Sequence, residues 1–361
     1  MEMMKRVLVL VFAVGAIAFN GCVQAPTDQG NGPEAGGSGG KIKIGFSMAT
    51  LKEERWTKDK EAFEAHCRKM EVECVVTVAN ANANKQANDV DNLLTQGVDV
   101  LVIAPHDSTQ AASMVNKAKA QNVPVISYDR LINNDKIDLY ISHQVPVIGR
   151  KMAEYALERV PKGNYVLVYG ASTDNNGMIM KKEQNAVLKA AVDRGDIKIV
   201  ADQHAKDWKP DEALKIVENA LTQNNDKIDV VIASNDGTAG GAISALETKG
   251  LAGKVLVTGQ DAEKAALQRI AEGKQTMTVY KPITPLANGA VEAAIKLAKK
   301  EKLDSEEFKS DGIEKPIRAI LLEVIVVDKD NLMDTVIKDG WISFDDVYLN
   351  VPEDKRPKKP E

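Results

Sequence analysis

From Lys41 onward one theme recurs: a short apolar run rich in β-branched residues, a polar loop, then an amphipathic stretch of helical period. In the first half the runs are Ile42–Phe46, Cys74–Val78, Val100–Ile103, Val125–Tyr128 and Leu139–Ile141. In the second they are Tyr165–Tyr169, Ile197–Val200, Val230–Ile232, Val255–Thr258 and Thr276–Val279. Largely continuous apolar runs alternating with helices mean parallel strands covered on both faces. The expected class is α/β and doubly wound. The halves also match directly, Asp99–Thr109 (DVLVIAPHDST) against Asp229–Thr238 (DVVIASNDGT), and each is followed by a helix and a strand ending in Asp, at Asp129 and Asp261. Two similar parallel-sheet lobes facing one cleft, joined by a multi-strand hinge, are therefore expected. Ala319–Val327 reads as a late strand crossing back between them. The division is placed at 41–142 plus about 288–325 for one lobe and 143–287 plus about 326–350 for the other, with 351–361 a disordered tail.

In open parallel sheets, ligands bind beyond the carboxyl ends of the strands. Beyond the runs of this chain stand Glu54–Asp59, Asp129-Arg130, Asp174–Asn176, Asp207-Trp208, Ser234–Asp236, Gln260-Asp261 and Tyr280-Lys281. Carboxylates accept from vicinal hydroxyls, while Arg and Lys donate to hydroxyl and ring oxygens. Only 4% of the chain is aromatic, yet two of its 3 Trp stand in this set; an indole face suits the C–H face of a pyranose. The mixture fits a neutral sugar. Each residue has a plainer role too, since Asp caps helices, Trp packs, and Arg130 could pair with Asp129. Joint placement along one edge of two repeated sheets outweighs those separate readings. No dinucleotide, phosphate-loop or nucleophile-elbow spacing occurs, so no enzyme and no cofactor are expected. The four His are scattered and no metal site is expected. A net charge of −5 argues against nucleic acid.

The N-terminus fixes the compartment. Lys5 and Arg6 precede the apolar run Val7–Phe19, too short to span a bilayer, which ends at Asn20-Gly21-Cys22. Residues 1–21 read as a signal peptide and Gly21-Cys22 resembles a bacterial lipobox, with Cys22 lipidated. Residues 22–40, poor in anything to bury, read as a flexible tether. The expected location is extracytoplasmic, with membrane contact through the lipid only. Cys67 and Cys74 leave two readings open, a disulfide between a helix end and the next strand or two buried thiols; spacing alone favours the second.

These stretches together resemble the periplasmic D-xylose-binding proteins of ABC transporters. The resemblance is carried by Glu53–Asp59, Ser127–Asn133, Ala233–Ile243 and Gln275–Thr284, and runs from about Lys41 to Gly340. It implies a type I periplasmic binding protein fold that closes on D-xylose or a related monosaccharide and delivers it, as a monomer, to an ABC transporter permease. It implies a sugar between the rings of Trp56 and Trp208, with hydroxyls met by Arg55, Asp129, Arg130, Asn176, Asn235, Asp261 and Lys281. The surroundings of Trp208 and the pair His106-Asp107 depart from that pattern. A sensor subunit that presents sugar to a membrane receptor without transport is the alternative. LacI-type repressors share the core, but open with a helix-turn-helix where this chain has a signal peptide. The acidic stretch Asp328–Asp334 has Met333 where a calcium loop needs Gly, and reads as a solvated turn.

Overall fold

A computed structural model describes residues 40–359; the signal peptide, Cys22 and nearly all of the tether lie outside the described residues. The first lobe begins β1 (Lys43–Met48), α1 (Glu54–Lys69), β2 (Glu73–Val78), α2 (Ala83–Thr95), β3 (Val100–Ala104), α3 (Ala111–Ala120), β4 (Val125–Tyr128) and β5 (Leu139–His143). The second runs α4 (Val145–Arg159), β6 (Gly163–Tyr169), α5 (Asn175–Asp193), β7 (Ile197–His204), α6 (Pro210–Gln223), β8 (Val230–Ala233), α7 (Asp236–Glu247), β9 (Leu256–Val257), α8 (Lys264–Ala271) and β10 (Met277–Tyr280). Then come α9 (Ile283–Ala298), β11 (Glu306–Phe308), β12 (Ile317–Leu322), β13 (Ile325–Asp328) and α10 (Phe344–Val347).

The first sheet has the order β11-β12-β5-β4-β3-β1-β2 and is parallel except for β11; the second has the order β7-β6-β8-β9 and is all parallel. An antiparallel pair, β10 and β13, extends the second sheet through a bridge between Gln260 and Val279. Both sheets are covered on both faces, as the apolar runs require. β3 sends Val100, Val102 and Ala104 into one buried cluster and Leu101 and Ile103 into another. β6 likewise divides Tyr165, Leu167 and Tyr169 from Val166 and Val168.

The chain passes between lobes three times, after β5, after β10 and between β12 and β13. The late apolar stretch is thus two strands in two sheets. The second passage falls at Lys281-Pro282, ahead of the expected boundary near 288. All of α9 packs on the first lobe, through Leu286, Ala287, Ala290, Val291 and Ala294. The passages are bonded together: His143 Nε2 meets Pro282 O at 3.2 Å, and Gln144 N donates to Leu322 O at 3.0 Å.

Two expectations are corrected. Cys67, near the end of α1, and Cys74 in β2 form a disulfide, because the turn between them brings their Cα atoms to 6.2 Å. The tail 351–361 is not simply disordered: Val351 is buried in the second lobe's C-terminal cluster and Glu353–Lys355 forms a 3₁₀ turn. Among the described residues, no helix is long and apolar enough to cross a membrane.

Candidate functional site

The strand-end loops of both lobes meet around one narrow cavity. Its volume is about 300 Å³, part of it open to solvent. Its lining contains all nine residues expected from sequence: Arg55, Trp56, Asp129, Arg130, Asn176, Trp208, Asn235, Asp261 and Lys281. Glu53, Asp174 and Gln260 complete it. Asp174 and Gln260 stand in the strand-end set read from the sequence and Glu53 in a stretch that carries the resemblance, but none of the three is among the residues that the resemblance places on the sugar. Asp174 and Glu53 are the N-cap residues of α5 and α1.

Arg55 stands in the first turn of α1. Asp59, one turn on, holds its Nε at 3.0 Å and is itself bonded by the Tyr128 hydroxyl. So braced, Arg55 Nη1 reaches Asp129 Oδ2 at 2.9 Å and Asp261 Oδ1 at 3.3 Å. Lys281 Nζ meets the same two oxygens at 3.3 and 3.2 Å. Two cations therefore alternate with two carboxylates, all nearly inaccessible to solvent. Burial alone would raise the Asp129 carboxyl, but Arg55 and Lys281 hold it well below the usual carboxylate range. Burial would lower the Arg55 guanidinium; Asp129, Asp59 and Asp261 instead raise it well above its ordinary value. Both groups are thus charged at neutral pH. His143, beneath Lys281, is driven well below its ordinary value by burial and by that ammonium.

Asp129 and Asp261 both have left-handed backbones, at φ 58° and 98°. Each amide donates at 2.8 Å to a neighbouring strand, Asp129 to Ile141 O and Asp261 to Val279 O. A left-handed non-glycine conformation costs energy, and its appearance at both positions is the kind of strain that functional sites carry.

The rings are set by other devices. Trp56 enters from α1, with the guanidinium carbons of Arg55 and Arg130 at 4.6 and 5.0 Å from its ring centroid. Trp208 comes directly after Asp207 in a turn where both residues are left-handed, and its ring lies on Gly170, where a Cβ would overlap it. Trp208 Nε1 donates to Asp174 Oδ2 at 3.1 Å, and Arg130 Nε meets the same oxygen at 2.8 Å. Asn235 caps α7 by accepting from Thr238 N at 2.8 Å. Asn176 Nδ2 donates to Asp129 O at 3.2 Å.

Among the described residues, eight buried side-chain polar atoms have no hydrogen-bond partner, and four of them line this cavity: Glu53 Oε2, Trp56 Nε1, Asp129 Oδ2 and Asn176 Oδ1. Asp129 Oδ2 lies within ion-pair distance of two cations, yet neither cation directs a hydrogen bond to it. Unpaired buried polar atoms are costly, so their clustering marks a place built to be satisfied by something else. The set mixes a donor with acceptors. An anion site would offer donors and a cation site acceptors, whereas a hydroxyl is both at once.

The sequence profile of the periplasmic binding protein domain matches residues 44–302. The chain belongs to the periplasmic binding protein family. It is 46% identical over 301 residues to the D-xylose-binding periplasmic protein of Escherichia coli strain K12, covering 83% of this chain and 91% of that one. The protein described in the same words from Haemophilus influenzae is 43% identical over 307 residues, covering 85% and 92%. Among solved structures, a carbohydrate transporter solute-binding protein of Chloroflexus aurantiacus in complex with D-glucose superposes with a TM-score of 0.80 at 28% identity, covering 84% of this chain and 97% of that one. The fold is the type I periplasmic binding protein fold, and the family is one of binding proteins, not enzymes.

Proposed function

We propose that this protein captures D-xylose, or a closely related monosaccharide, by closing its lobes, and delivers it to an ABC transporter. The observation that carries the reading is the mixed set of unsatisfied donor and acceptors in a cavity lined by both lobes and by two indoles. Arg55, Lys281, Asp129 and Asp261 would exchange their longer ion-pair contacts for sugar hydroxyls, and Trp56 and Trp208 would take the ring's C–H faces. The similarity to two D-xylose-binding proteins supports D-xylose as the sugar. Calorimetry with a panel of pentoses and hexoses tests it. D-xylose should bind most tightly and compact the protein in small-angle scattering. Failure of every monosaccharide to bind would overturn the reading.

The extracytoplasmic placement rests on the family; the lipid anchor at Cys22 is part of the proposal. Cys22→Ser should leave the protein unprocessed or free of membranes, since the anchor is lost. A variant that is cleaved as usual and still partitions with membranes would remove the anchor from the account.

A further inference from the structure

Apart from the bonds inside the ligand cavity and at the hinge, the lobes are joined by two sets of contacts with different surroundings. One set is exposed. Lys264 N donates to Glu54 Oε2 at 2.9 Å, Lys58 Nζ lies 3.7 Å from the Trp341 ring centroid, and Lys182 pairs with Asp311 at 2.8 Å. Water and salt compete for such contacts, so each contributes little.

The other set surrounds Asn175, which is only 9% exposed. Ser108 N donates to Thr173 O at 2.9 Å, and Asn175 N donates to Ser108 Oγ at 3.1 Å. Asn175 Nδ2 donates to Leu131 O at 3.1 Å and to Asn133 Oδ1. All four bonds join the loop opening α5, in the second lobe, to the loops after β3 and β4, in the first. The first-lobe partners are held ready: Asn133 N donates to Ser108 O at 2.9 Å, and Asn133 Nδ2 donates to Thr109 Oγ1 at 3.1 Å. Gly312, left-handed at φ 90°, leaves space for Asn133 Oδ1 where a Cβ would collide.

All four residues of the stretch from Thr173 to Asn176 bond across to the first lobe, but only Asp174 and Asn176 also line the ligand cavity. Asn175 itself does not line that cavity.

We infer that Asn175 is a closure latch that sets how long a bound sugar is retained, without touching the sugar; this rests on the sugar-binding reading above. Its bonds exist only when the lobes are together, so they weight the closed state against the open one. Sugar enters the open state, where the latch is unmade, and leaves only after the latch breaks. The latch therefore acts on dissociation and not on association.

Stopped-flow tryptophan fluorescence with D-xylose on the full mature protein separates the two rates. Asn175→Ala should raise the dissociation rate about tenfold, the effect of losing buried bonds, with the association rate changed less than about twofold. Ser108→Ala, which removes one bond, should act in the same direction by about threefold. Melting of the sugar-free proteins guards against misfolding; if Asn175→Ala melts early, the rate split in Ser108→Ala decides. Unchanged dissociation in both variants, or slowed association with unchanged dissociation, would overturn the latch. A wild-type protein that binds no monosaccharide would instead overturn the functional reading and the latch with it.

Discussion

Asp129 and Asp261 close equivalent strands in the two lobes, share a left-handed backbone and give their amides to the neighbouring strand in the same way. Their surroundings nonetheless differ. The Asp129 carbonyl accepts from the Ser142 and Tyr140 hydroxyls and from Asn176 of the opposite lobe, while the Asp261 side chain has Gln260 Nε2 at 3.4 Å. A second equivalent pair diverges further. Asp107 is half-buried and caps its own loop through Thr109 N and Gln110 N, whereas Asp236 is wholly buried and accepts from Gln275, Thr278 and Glu263 N. The repeat thus supplies two acceptors at matching heights in the cleft. Arg55, Lys281 and the rings come from parts that are not repeated: the start of α1, the turn before α6, and the second passage between lobes.

If that asymmetry has functional weight, Asp129→Ala should be the most damaging single change. Loss of either Asp129 or Asp261 leaves Arg55 and Lys281 with one shared carboxylate, but Asp129 makes the shorter contact to Arg55, 2.9 Å against 3.3 Å, and also accepts from Asn176 Nδ2 at 3.4 Å. Its loss should therefore cost about 3–5 kcal/mol divided between sugar affinity and stability. Asp261→Ala should cost less, about 1–3 kcal/mol. Calorimetry with melting curves ranks them, and a reversed order would break the comparison.

Only the first lobe is stapled. Cys67→Ser with Cys74→Ser should lower its stability by about 2–3 kcal/mol, from the short loop that the bond closes, with sugar affinity unchanged. Hydrogen exchange resolved by lobe would show the loss in α1 and β2. Equal loosening of both lobes would contradict the assignment.

The two rings should behave alike. Trp208 is buried in the second lobe's cluster and rests on Gly170, so Trp208→Ala should weaken sugar binding by about 2 kcal/mol and lower sugar-free melting as well. Trp56 packs within the first lobe's buried cluster, so Trp56→Ala should weaken binding and lower melting together. Normal binding in either variant would remove that ring from the site.

The smallest effect concerns Asp236. Burial, opposed by Arg269 and its hydrogen-bond donors, pushes its carboxyl up to about 7. Burial and Asp236 together push Glu263 up to about 8. A carboxyl raised on folding binds more protons in the folded state, so stability should fall as pH rises from about 4 to about 8, by at most about 1.4 kcal/mol per unit for each of the two carboxyls. Asp236→Asn should reduce that slope. An unchanged slope in Asp236→Asn would separate this carboxylate from the pH response.

The alternation of apolar runs with helical stretches is enough to read two doubly wound lobes, because strand and helix periodicities are local and covered parallel strands need no alternation. The strand-end rule together with the family resemblance brings out Arg55, Trp56, Asp129, Arg130, Asn176, Trp208, Asn235, Asp261 and Lys281. Tertiary structure alone decided the rest. The pairing of Cys67 with Cys74 depended on how sharply the chain turns between α1 and β2. The bed of Gly170 under Trp208 depends on the register of β6 against β7. The bond from Asn175 to Ser108 joins loops 67 residues apart on different sheets. Such contacts are fixed by sheet order and by the approach of two lobes, and no periodicity along one segment encodes the distance to another.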